Sequence, residues 1–384
     1  MSRTLDYLAR EVERRGGAVR LFTTSDPTAA AAPHVVRFAS CPFWAYPQLR
    51  LSLPSAAAAA AELREWGANL VHAATPFGVG LAGRAAAREL GIPLVTSYHT
   101  SLSACARFYR LGALAEPGWA FYRWFHNSGQ RTYCPTRAVQ SELRGRGFVN
   151  TALWGRGVDT GRFSPRWRSA ELRARLGAGD GRVVVAYVGR LAAEKGLDTA
   201  LAAMRIAAER APGRVTFAMA GDGPYAARCR RLAPEGTVFT GHLSGDDLSA
   251  FYASADLFVF PSTVDTFGNV LLEAMASGLP VVAAASGPTR EVLGAGGGVT
   301  VPATDAGALA DTILALAADP ARRASLSAAG LASATARSWR RVFDGLLTDY
   351  SRVLADHGVA HGMEPALARS RRPARVRLRA RLAA

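Results

Sequence analysis

Short unbroken apolar runs, separated by helical stretches of ten or more residues, recur along this chain in two successive sets. The first set falls at residues 18–23, 34–38, 69–73, 93–98 and 132–134, the second at 183–188, 215–220, 237–240, 257–260, 280–284 and 298–301. Several lack apolar–polar alternation, as parallel strands covered on both faces do. With helices between them they make βαβ units, so the expected class is α/β, with two doubly wound Rossmann-like domains facing a common cleft. Gly155, Gly157, Asp159 and Pro165 interrupt both periodicities and mark the joint. The chain divides into residues 1–157, 158–340, a helix at 341–358 that packs back toward the first domain, and a tail at 359–384.

Composition narrows the class. Of 384 residues 49% are apolar and only 20% charged, which excludes a largely disordered or fibrous chain. The net charge is +16, and of 46 basic residues Lys195 is the single lysine. Cys41, Cys105, Cys134 and Cys229 are scattered without a CxxC pair, which argues against a disulfide framework or zinc site and for reduced thiols in a cytoplasmic protein. The first seventeen residues are charged throughout and carry no apolar signal-peptide core, and the longest uncharged run, 66–83, is too polar to span a bilayer.

Residues 260–282 carry the most chemistry. A strand ends near Pro261, a loop holds Asp265, and a helix opens near Phe267–Asn269 with Val270 behind it. Unpaired amides and a positive dipole end make such a helix start a cradle for phosphate. Asp265 and Glu273, eight residues apart, are placed to meet one ligand at different depths; the alternative is a helix cap and a surface acid. Gly189, Arg190 and Lys195 follow the strand at 183–188, where open α/β sheets bind ligands, and both cations suit a diphosphate. Solvated basic residues at a helix start are the alternative, which the dipole disfavours. Gly221 and Gly223 form a third loop that either approaches a ligand or simply turns tightly. His99 ends a strand of the first half and either faces the cleft or is a structural histidine.

Together these motifs resemble family 4 of the glycosyltransferases, retaining enzymes of the GT-B fold. The likeness runs from Arg3 to about Tyr350 and rests on a variant E-x7-E pattern, Asp265 to Glu273, with LEAMASGLPVV at 272–282. GRL-x-x-EKG at 189–196 and GRGVDTGRF at 155–163 reinforce it. SYHTSL at 97–102 and DTFGNV at 265–270 are most similar to mannosyltransferase-type members, with sulfoquinovosyl- and glucosyl-lipid transferases close by. The resemblance implies that Arg190 and Lys195 hold the donor diphosphate, Glu273 the ribose and Asp265 the donor sugar, with His99 beside the reacting carbon. Gly189, Gly221, Gly223, Phe267, Gly268, Asn269 and Val270 complete the implied donor site. The implied co-substrate is a nucleoside-diphosphate sugar, GDP-mannose or a UDP-hexose, with no other cofactor, and the implied acceptor is a lipid or glycan.

No two aspartates are separated by one residue, so the DxD metal site is missing from the sequence and a metal-independent reaction is expected. Two departures from the family pattern stand out. Asp265 replaces the commoner Glu. Family members also begin with a strand and glycine loop ahead of the helix that Ser2 opens here, so either the true start lies upstream or the sheet lacks its first strand, and low stability and weak activity are expected of the 384-residue form. A nucleotide-binding remnant without turnover is therefore one alternative, and a UDP-sugar-dependent glucosyl- or sulfoquinovosyl-lipid synthase another. Seven arginines and no acid in 369–381 either hold the chain on the anionic inner face of the plasma membrane or form a solubilising tail. No basic stripe interleaved with aromatics supports specific nucleic-acid binding.

Overall fold

In the first half, β1 (Leu21–Thr24) pairs in parallel with β2 (Val35–Phe38), and β3 (Cys41–Phe43) forms an antiparallel hairpin with β4 (Tyr46–Leu51). Then β5 (Val71–Ala73), β6 (Leu94–Ser97), β7 (Arg131–Cys134) and β8 (Thr151–Leu153) build a parallel sheet in sequential order. The structure is a computed structural model and describes residues 2–27, 32, 34–43, 46–99 and 112–360. Among them no sheet pairing joins β1 to β5, although Phe22 and Val71 pack against the same two helices, Ala56–Trp66 and Val79–Leu90. The β3–β4 hairpin and β8 go beyond the strands expected from sequence. Pro42 and Pro47 disguise the hairpin, since proline is confined to sheet edges. β8 is three residues long, too short to show a period, and follows Asn150 at φ 54°.

The second half holds one six-stranded, all-parallel sheet: β9 (Val183–Val188), β10 (Val215–Ala220), β11 (Val238–Gly241), β12 (Leu257–Phe260), β13 (Val281–Ala284) and β14 (Gly298–Val301). Alternate residues of β9 feed opposite cores. Val184 and Ala186 join Phe258, Phe260 and Leu272 on one face, and Val183, Val185 and Tyr187 join Met204, Met219 and Ile313 on the other. Burial on both faces explains the unalternated runs, each such side chain contributing about 1.5–3 kcal/mol. The strand order is β11-β10-β9-β12-β13-β14, so the winding reverses between β9 and β12. At that reversal the loops leaving the two strands diverge and open a crevice beyond their carboxyl ends.

The chain crosses between halves twice, side by side, at a bridge between Val158 and Ser338. Gly157 makes that possible, because a Cβ there would lie 2.6 Å from the Trp339 backbone. The Trp339–Ala360 helix then returns to the first half, packing Phe343, Leu346 and Val353 against Leu8, Val95, Tyr133 and Trp154. Tyr133 donates to Asp349 of that helix at 2.8 Å. Among the described residues no helix is long and apolar enough to cross a membrane. The arginine-rich tail, Cys105 and the second half of the SYHTSL motif lie outside the described residues.

Candidate active site

Two loops meet at the reversal between β9 and β12. The loop after β9 carries Arg190 and ends in a short turn, Ala193–Lys195, before the Leu197–Arg210 helix. The loop after β12 carries Asp265 and runs into the Asn269–Ala276 helix. Across seventy residues of sequence, Lys195 Nζ donates to both carboxylate oxygens of Asp265, at 2.8 and 3.0 Å. Arg190 donates to Glu194 on its own loop. Asp265 does not cap the following helix: Gly268 takes that position, and the first-turn amides have no side-chain cap. Those uncapped amides, Lys195 and Arg190 are carried by the two loops that meet here, and helix-start amides and side-chain cations are the donors that anions take.

Glu273 is no solvated surface acid. It is half-buried, accepts a hydrogen bond from the Tyr252 hydroxyl at 3.0 Å, and lines a cavity of about 30 Å³ with Asn269, Asp159 and Arg162. Val270 sits in the same first turn and packs on the core, and Phe267, only 7% exposed, belongs to that core. The glycine loop after β10 is explained by close packing. A Cβ on Gly221 would lie 1.9 Å from the Gly189 carbonyl oxygen, and one on Gly223 2.3 Å from that of Leu191. Leu191 N–H donates to the Asp222 carbonyl oxygen at 2.9 Å, so this loop buttresses the one that presents Arg190.

From the first half, His99 at the end of β6 reaches the same place. Its carbonyl accepts from Thr266 Oγ1 at 3.1 Å, one residue from Asp265, and Thr136 Oγ1 donates to the Thr266 carbonyl at 3.4 Å. On an adjacent contact, Glu291 accepts from the amides of Arg137 and Ala138, 2.9 and 3.0 Å away, at the start of the Arg137–Gly145 helix. Both His99 ring nitrogens are engaged, one by Arg156 at 2.7 Å and one by Ser97 at 2.8 Å. Burial, with the Arg156 charge next, holds His99 well below the usual histidine range and pushes His72 down to about 3. Burial also brings Arg156 down to about 10. Among the described residues no cluster of three or more His, Cys, Asp or Glu side chains converges as a metal site would.

The structure thus brings Lys195 against Asp265 and His99 against Thr266, with Arg190 on the Lys195 loop, Gly268 and Asn269 at the following helix start, and Glu273 one turn further on, lining the cavity at the joint. Sequence reasoning missed Thr266, Glu291, His72 and Arg156. Thr266 and Arg156 lie inside quoted motifs, but nothing in their spacing marks a contact with His99. Glu291 and His72 carry no local signal at all, since their partners are distant in sequence.

Residues 182–319 match the family model for glycosyl transferases group 1, and residues 1–162 the model for glycosyltransferase family 4. A GDP-mannose-dependent alpha-mannosyltransferase of Corynebacterium glutamicum is 33% identical over 297 residues, 76% of this chain and 70% of that protein. The sulfoquinovosyl transferase SQD2 of Arabidopsis thaliana is 36% identical over 258 residues, 66% of this chain but only 49% of the plant protein. Among solved structures, sucrose-phosphate synthase from Thermosynechococcus elongatus superposes with a TM-score of 0.74 at 23% identity, covering 91% of this chain and 92% of that one.

Proposed function

The chain belongs to glycosyltransferase family 4, and we propose that the hexose it moves is mannose, taken from GDP-mannose and passed to a lipid or glycan acceptor. Its fold is GT-B, and it is a hexosyltransferase acting from a nucleotide sugar. What carries the mannose reading is the 33% identity to a GDP-mannose-dependent enzyme across three quarters of the chain.

The reaction breaks the anomeric C–O bond while negative charge gathers on the departing diphosphate. Lys195, Arg190 and the amides of the Asn269–Ala276 helix are preorganised donors for that charge, and such donors are each worth about 10²–10³ in rate. Asp265 then holds hydroxyls of the sugar and Glu273 the ribose diol, with Gly221 and Gly223 lining the base side. His99 stands beside the reacting carbon. The leaving phosphate oxygen takes the acceptor's proton, so the sugar keeps its anomeric configuration and no separate base is required. With no DxD sequence, this reading is metal-independent. It places the enzyme in the cytoplasm, with the seven arginines of 369–381 holding it to anionic lipid; unchanged liposome sedimentation after deletion of 369–384 would remove the tail from it.

A second reading is transfer of a sulfoquinovosyl or glucosyl group from a UDP-sugar; the sulfoquinovosyl part is favoured by the likeness to the plant protein and the glucosyl part by a 29% identity to an alpha-monoglucosyldiacylglycerol synthase. A thermal-shift panel separates the two. A ligand at 100 times its dissociation constant adds about 2.7 kcal/mol. GDP and GDP-mannose are expected to raise the melting temperature while UDP, ADP and their sugars do not. A shift with UDP alone selects the second reading, and no shift with any nucleotide overturns the donor site.

A further inference from the structure

Arg156 is the least ordinary charge in the molecule. It is 7% exposed, stacks over Trp154 at 4.9 Å, and forms no ion pair among the described residues. One guanidinium nitrogen donates to the carbonyls of Trp154 and Gly155, at 3.0 and 3.1 Å. The other lies 2.7 Å from His99 Nδ1. Arginine has donors only, so His99 Nδ1 accepts here. A neutral imidazole that accepts at Nδ1 carries its proton on Nε2, and Nε2 is 2.8 Å from Ser97 Oγ. Ser97 Oγ is 2.9 Å from His72 Nε2, and His72 Nδ1 meets the Tyr350 hydroxyl on the returning helix. One arrangement gives every atom a partner: Arg156 donates to His99, His99 to Ser97, Ser97 to His72 and His72 to Tyr350.

We infer that Arg156 is a positioning residue for His99: its guanidinium fixes the imidazole as the Nε2–H tautomer and sets the direction of a hydrogen-bond relay ending at Tyr350. A lone arginine in a motif about the joint would otherwise be read as linker chemistry. Instead, it spans from the crossover between halves to the wall of the crevice. With both ring nitrogens committed, the face His99 turns to the crevice is held at a fixed angle. The groups facing this imidazole include His72 on β5, Ser97 on β6, Trp154 and Arg156 on the crossover and Thr266 beyond β12, and the amino-terminal charge and His126 also act on it. None is an acid, so nothing among them favours a protonated ring.

The inference rests on the proposed glycosyl transfer for its turnover readout alone. The direct test is ¹⁵N NMR of the full chain labelled at histidine, with the His99 signals assigned by their loss in His99→Gln. The expected pattern is a neutral ring with Nε2 protonated and Nδ1 bare, unchanged from pH 5.5 to 8. In Arg156→Met, the ring is expected to stay neutral, because burial is the larger cause, but to populate the Nδ1–H tautomer, with turnover down tenfold or more and KM within threefold. Arg156→Lys, which still donates a charged hydrogen bond, should restore the native tautomer and turnover. A native His99 protonated on Nδ1 overturns the inference. So does an Arg156→Met variant with native tautomer and turnover. If that variant does not fold, the native spectrum and Arg156→Lys decide. A chain with no turnover but the predicted tautomer counts against the proposed reaction and leaves the positioning role standing.

Discussion

Lys195 is the only lysine among 46 basic residues, and its ammonium sits between the two oxygens of Asp265. A compact point charge on a flexible stem suits a group that shares a carboxylate and then meets a phosphate, whereas a guanidinium fork is built for one fixed partner. Its side chain is 21% exposed and that of Asp265 26%, so the pair is part-buried, and removing one partner leaves the other charge uncompensated. Lys195→Ala is expected to lower kcat/KM about 100-fold, or about 2.7 kcal/mol, and to lower the melting temperature while leaving the chain folded. Initial rates and a melting curve check it; rates within threefold of native would refute the assignment. Asp265, Lys195 and Glu273 were legible in the sequence because each stands at a fixed distance from a strand end or helix start. Arg156 was not, since one arginine in a chain full of them carries no signal until its partner's position is known.

At the scale of elements, the reversal of winding between β9 and β12 turns two separate motifs into one site. Every strand of that sheet was visible as an apolar run, because burial on both faces leaves little room for polar side chains. The order of strands was not visible, and it is the order that places Lys195 against Asp265. The first half was harder to read, with short strands and a proline-bearing hairpin. Contact between the halves depends on helix ends. Glu291 meets the Arg137–Gly145 helix at its positive end, accepting from two amides that have no partner inside the helix. Glu291→Ala is expected to destabilise the chain by about 1 kcal/mol, as loss of a helix cap does. Urea denaturation measures it, and an unmoved midpoint would show that the contact holds nothing together.

For the whole molecule, the cluster around the crevice makes folding sensitive to acid. Burial is the first cause in each of three histidines, holding His72 at about 3, His126 at about 4 and His99 well below its ordinary range. Between about pH 6.5 and 4 the unfolded chain binds protons that the folded chain refuses. Stability is thus complete above about pH 6.5 and declines as pH falls below it. A melting temperature that drops between pH 6.5 and 5 is the expected result, and a flat one would contradict the burial of these rings. The fold and the family agree on transfer from a nucleotide sugar, and the proposed seat of the donor's diphosphate is the meeting of the β9 and β12 loops. Release of GDP from GDP-mannose, followed with the native chain and with Lys195→Ala in the presence of a lipid or glycan acceptor, tests this most directly. Turnover by the native chain, about 100-fold slower in the variant, is the predicted result; equal rates in the two proteins would contradict it.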